Sequence, residues 1–221
     1  MLVDGIILYL CFLISLSFHE CAHAWMAQRC GDNTAKMLGR LTLNPLAHID
    51  MLRTVIIPAL MIFLPLLGSS AAALSGFIIG WARPVPVNPN NFRNYRRDDN
   101  LVSLAGPGSN LLLGFAILVV IRVMGFAPIE SGSFAAQFIH VLMNLTFINI
   151  LLAWFNLIPI PPLDGSHLLK NFTNMKWETY MWLSQYGIII LILALNFTPL
   201  QRVLTHLIVY TLRTMTFLLR F

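Results

Sequence analysis

Long uncharged runs alternate with short segments that carry most of the arginines. Apolar stretches fall near residues 5 to 28, 54 to 82, 101 to 124, 135 to 158 and 179 to 198, followed by a mixed segment from 200 to 221. A helix of about 20 apolar residues spans a bilayer core, so the pattern predicts an all-α polytopic membrane protein with about four to five transmembrane helices. The second stretch differs from the others. It is interrupted by Pro58, Pro65 and Gly68-Ser69-Ser70, and it is too short for two full crossings. Arg29, Lys36, Arg40 and Arg53 precede it, and Arg83, Arg93, Arg96 and Arg97 follow it. The positive-inside rule assigns both basic segments to the cytoplasm, so residues 54 to 82 must return to their own side. A re-entrant or partly embedded segment between the first and second full spans is therefore expected, with short β structure an option and one ordinary spanning helix the rival. At the C-terminus, Arg202, His206, Arg213 and Arg220 fall on one helical stripe, which predicts an amphipathic helix at the membrane surface.

Composition supports this class. Hydrophobic residues make up 57% of the 221 positions and charged residues 10%, well outside soluble averages. The net charge of +5 resides mainly in connecting segments and suits lipid headgroups. No basic run with interleaved aromatics marks a nucleic-acid surface. Cys11, Cys21 and Cys30 are odd in number and contain no C-x-x-C pair, which supports neither a cysteine zinc site nor a disulfide framework.

One polar cluster interrupts the first apolar run. Phe18-His19-Glu20-Cys21-Ala22-His23 places two imidazoles and a carboxylate inside a predicted span, where ionisable groups are costly and mark function. Positions i and i+4 share a helix face, so His19 and His23 can point at one ion with Glu20 beside them, the H-E-x-x-H geometry of zinc proteases. In that chemistry the metal acidifies a water and the glutamate takes its proton.

A catalytic zinc takes three protein ligands, so this motif lacks one. Of the nine acids, only Glu20 and Asp164 are expected in or against apolar stretches away from loop tips and termini. Asp164 closes Asn156-Leu157-Ile158-Pro159-Ile160-Pro161-Pro162-Leu163-Asp164, whose prolines must unwind the helix before it. If residues 54 to 82 turn back, both motifs lie towards the same membrane face. His167 is the main rival third ligand; His48 and His140 are assigned loop and surface roles. Asn156 is expected either to hold substrate or an oxyanion, or to tie down the unwound backbone. Ala105-Gly106-Pro107-Gly108-Ser109-Asn110 is read as a close-packing run with a local helix break.

With these motifs in order, the chain resembles the site-2 protease family of intramembrane zinc metalloproteases, peptidase family M50. The resemblance lies in His19 to His23, Ala105-Gly106-Pro107 with Asn110, and Asn156 to Gly165. It extends to Gly39 to Pro45 and Gly80 to Pro89. It implies that His19, His23 and Asp164 bind one Zn2+ and that Glu20 activates water. The substrate it implies is a transmembrane segment of another protein in the cell membrane; the basic loops and the parity of crossings put the site near the cytoplasmic side. A single domain is expected over 1–221, with a core of about 5–169 and C-terminal helices over 178–221, leaving room for neither a PDZ nor a CBS domain. The competing reading is a non-proteolytic polytopic protein, a transporter or an inactive homologue.

Overall fold

Seven α-helices are seen among the described residues of the computed structural model, which are 2–48, 85–124 and 133–220. They are α1 (Leu2–Cys30), α2 (Thr34–Met37), α3 (Tyr95–Val123), α4 (Phe134–Asn156), α5 (Gly165–Phe172), α6 (Trp177–Phe197) and α7 (Leu200–Leu218). Within α1, α3, α4 and α6, Val3–Cys30, Tyr95–Val123, Phe134–Asn156 and Trp177–Phe197 are long and apolar enough to cross a membrane. The protein is thus a multi-pass membrane protein. No strand occurs among the described residues, and the re-entrant segment expected over 54–82 lies outside them.

Local chemistry sets the helix ends. Asn94 caps α3 by accepting from Arg97 N at 3.3 Å, and its own N–H donates to the Asp98 carboxylate at 2.8 Å. This reciprocal arrangement satisfies backbone donors that the first turn leaves without partners. Ser133 caps α4 through Ala136 N at 3.2 Å. α1 stops at Gly31, whose φ of +113° suits only glycine, and Asp32 N then bonds back to Ala27 O at 2.9 Å. α3 starts six residues before the apolar run and runs unbroken through Pro107, so the local break expected there does not occur.

α1, α3 and α4 form the central bundle. His19 meets Asn110 and His23 meets Val102, so α1 and α3 are antiparallel; Cys11 meets Val141 and Ser15 meets Asn149, so α1 and α4 are parallel. α1 therefore ends, and α3 begins, at the end of the bundle where α4 ends. Arg93 N donates to Cys30 O at 3.2 Å and Asn91 Nδ2 to Asp32 at 2.8 Å, which closes the flanks of the undescribed stretch 49–84 on one another. α7 lies lengthwise on the bundle, from Leu204 beside Ile158 and Leu163 to Leu219 beside Ile117, Leu118 and Ile121. Arg202, His206, Arg213 and Arg220 are all exposed.

Candidate metal centre

Two turns of α1 carry the first half of the site. His19, Glu20 and His23 are buried, and the two imidazole rings meet edge to face with Nε2 atoms 3.0 Å apart. Their other nitrogens fix the tautomer. His19 Nδ1 lies 2.6 Å from Asn110 Oδ1 and His23 Nδ1 lies 2.7 Å from Val102 O. Both partners only accept, so Nδ1 carries the proton in each ring and the Nε2 lone pairs face each other.

The unwound segment after α4 brings the third group. Pro159, Pro161 and Pro162 supply no N–H, and the chain turns tightly through Ile160 N to Ile158 O at 2.8 Å and Leu163 N to Ile160 O at 3.0 Å. Gly165 permits the fold-back, because a Cβ there would lie 2.5 Å from the carbonyl carbon of Leu157. Gly187 of α6 likewise admits the backbone of Pro161. Asp164 Oδ2 arrives 3.1 Å from His19 Nε2 and 3.3 Å from His23 Nε2. It is fully enclosed yet has no hydrogen-bond partner.

Three lone-pair atoms at the corners of such a triangle repel unless a cation lies between them. Zinc–ligand bonds near 2.0–2.2 Å place the donors of a tetrahedral site about 3.4 Å apart. The donor set His19, His23 and Asp164 fits zinc in type and spacing. Glu20 stands next to His19 and accepts Val85 N–H at Oε2, 3.0 Å away.

The family model for peptidase family M50 matches residues 7–194. The chain belongs to peptidase family M50. "Putative zinc metalloprotease YwhC" of Bacillus subtilis is 38% identical over 198 residues, which is 87% of this chain and 81% of that protein. "Putative zinc metalloprotease Rip2" of Mycolicibacterium smegmatis is 30% identical over 192 residues, 86% of this chain and 67% of the relative. "Putative zinc metalloprotease MJ0611" of Methanocaldococcus jannaschii is 33% identical over 87 residues, 38% of this chain and 37% of the relative. No solved structure matches the chain. The family and the names of these relatives support a metalloprotease of site-2 type.

Other expected residues lie elsewhere. His167 bonds Asp99 at 3.2 Å rather than joining the centre. His48 Nε2 bonds Thr42 O at 2.9 Å, and His140 lies beside Asn144. Asn156 ends α4 and donates to Leu152 O at 2.9 Å. Asp32, Asp98 and Asp99 are buried as well: α3 begins before the apolar run and carries the last two, while Asp32 follows α1 and is held by Thr34, Asn88 and Asn91.

The run Ala105 to Asn110, expected to serve close packing, also lies against the site. Gly106 faces the imidazoles, and a Cβ on it would lie 2.6 Å from His19 Cε1 and 2.7 Å from His19 Nε2. Asn110 Nδ2 donates to Ser15 O at 3.1 Å and to Asn149 Oδ1 at 2.8 Å; Asn149 Nδ2 in turn reaches Ser15 Oγ at 2.8 Å. This amide chain stitches α1, α3 and α4 together directly behind His19. The available signal was two asparagines placed in the middle of apolar helices, where an unpaired amide is costly.

Proposed function

We propose that this M50 protein is an intramembrane endopeptidase that hydrolyses peptide bonds within transmembrane segments of other membrane proteins. His19, His23 and Asp164 hold one zinc ion. The observation that carries this reading is the orphaned Asp164 Oδ2, enclosed with two Nε2 atoms at 3.1 and 3.3 Å. When bound, zinc supplies a Lewis acid that polarises the scissile carbonyl and acidifies water. Glu20 takes the proton of the attacking water at its carboxylate and passes it to the leaving amide nitrogen. The Val85 N–H bond at 3.0 Å orients that carboxylate. Asn156, at the mouth of the unwound segment, offers its amide to the substrate backbone or to the oxyanion.

A buried centre suits a substrate that arrives laterally within the bilayer. Helical carbonyls are shielded by their own hydrogen bonds, so the substrate segment must be extended before attack. The helix ends that frame the site lie beside Arg29, Arg93, Arg96 and Arg97, and by the positive-inside rule this basic setting supports a site towards the cytoplasmic face.

The test is cleavage of a pool of synthetic single-span peptides co-reconstituted with the chain in lipid vesicles, read by mass spectrometry. Wild type is expected to cut within the spans, and Glu20→Gln is expected to keep zinc and lose cleavage by about 10²-fold or more. Equal cleavage by a clean Glu20→Gln preparation would sink the mechanism.

A further inference from the structure

Asp164 reaches the histidines from the start of a helix that needs holding. α5 has eight residues, too few for stability alone, and Asp164 is its N-cap. The grip comes from α3. Asp99 is 5% exposed and meets three side chains of α5: His167 Nδ1 at 3.2 Å, Lys170 Nζ at 3.0 Å and Asn171 Nδ2 at 2.7 Å. Positions 167, 170 and 171 lie on one helix face, so a single carboxylate gathers that whole face. Lys170 is buried as well and donates to Tyr95 Oη at 3.1 Å. Gly106 lies seven residues beyond Asp99, two turns along the same face of α3, about 10 Å away. One face of α3 thus carries both the carboxylate that grips α5 and the glycine that admits His19 and His23.

We infer that Asp99 is a positioning residue that fixes the depth and rotation of α5, and so aligns Asp164 Oδ2 with the two Nε2 atoms. The inference rests on the metal-centre reading above. A stability role alone explains the Asp99–Lys170 pair poorly. Burying two charges costs about as much as their attraction returns, and apolar replacement of such a pair is often neutral or stabilising. Directional hold on α5 is what an apolar pair cannot reproduce.

The test uses the full chain in detergent, with zinc as the probe. Zinc affinity is measured by chelator competition, and the melting temperature is measured with zinc removed. The double variant Asp99→Leu/Lys170→Met is expected to melt within a few degrees of wild type when metal-free, yet to bind zinc about 10- to 100-fold more weakly, the range for losing a residue that orients a ligand. Asp99→Asn is the second variant, isosteric and still able to accept from Asn171, with an expected loss of about tenfold. Ile121→Ala opens the buried cluster of Ile117, Leu118 and Ile121, about four turns beyond Gly106 along α3, and is expected to lower melting without changing zinc affinity. Wild-type zinc affinity in either Asp99 variant overturns the inference. Asp164→Ala, run alongside, separates the two readings: undiminished zinc binding there means the metal-centre reading itself has failed.

Discussion

Gly106 of α3 lies so close to His19 of α1 that a Cβ on the glycine would fall 2.7 Å from the imidazole Nε2. No side chain can occupy that position unless the histidines give way. Gly106→Ala is therefore expected to displace His19 and His23 and to weaken zinc binding by about tenfold or more, while Gly108→Ala, which meets open space, leaves it unchanged. Chelator competition on the two variants measures the difference.

Asn110 holds His19 by its side-chain oxygen and α4 by its nitrogen. Asn110→Ala removes the acceptor for His19 Nδ1 and leaves Asn149 Oδ1 without its donor. We expect a loss of zinc affinity of about 10- to 100-fold and of stability by about 1–3 kcal/mol. Denaturation of the metal-free variant separates the two effects.

The four long helices were legible in the apolar runs because spanning a bilayer demands them. His19, Glu20 and His23 were legible because helical spacing alone puts the histidines on one face. Asp164 could be found because charge inside a membrane needs a reason. Gly106 and Asn110 stand out in the sequence only as part of a small-residue run, and Asn149 not at all, because their meaning lies in which helix they face. Asp99 was hidden by the assumption that α3 begins where its hydrophobicity does; the helix starts at Tyr95, capped by Asn94, and buries two acids in its first turns.

Asp32 joins the end of α1 to the segment that precedes α3, accepting from Thr34 Oγ1 at 2.5 Å, Asn88 N at 2.8 Å and Asn91 Nδ2 at 2.8 Å. Burial pushes its carboxyl up, but the donors from Thr34, Asn88 and Asn91 outweigh it and hold the group below the usual carboxylate range. A carboxylate lowered in the folded state stabilises fully above its unfolded value of about 3.9, and that stabilisation fades as pH falls through the folded value. Asp32→Asn is expected to be less stable than wild type at pH 7 and to lose less stability between pH 5 and pH 3. Parallel melting curves across that range check the sign.

Metal removal offers another check. Zinc that joins Asp164 to α1 binds the folded chain only, so it raises apparent stability by RT ln(1 + L/Kd), with L the free zinc concentration. Chelation is expected to lower the melting temperature of wild type and to leave that of Asp164→Ala unchanged. Equal shifts in both proteins would place the stabilising metal elsewhere.

The most direct test of the central claim is the zinc-to-protein ratio of wild type, Asp164→Ala and His167→Ala, purified in parallel. One zinc per chain in wild type and in His167→Ala, with loss from Asp164→Ala, is the predicted result. Zinc retained by Asp164→Ala and lost from His167→Ala would contradict the assignment of His19, His23 and Asp164 as one metal centre.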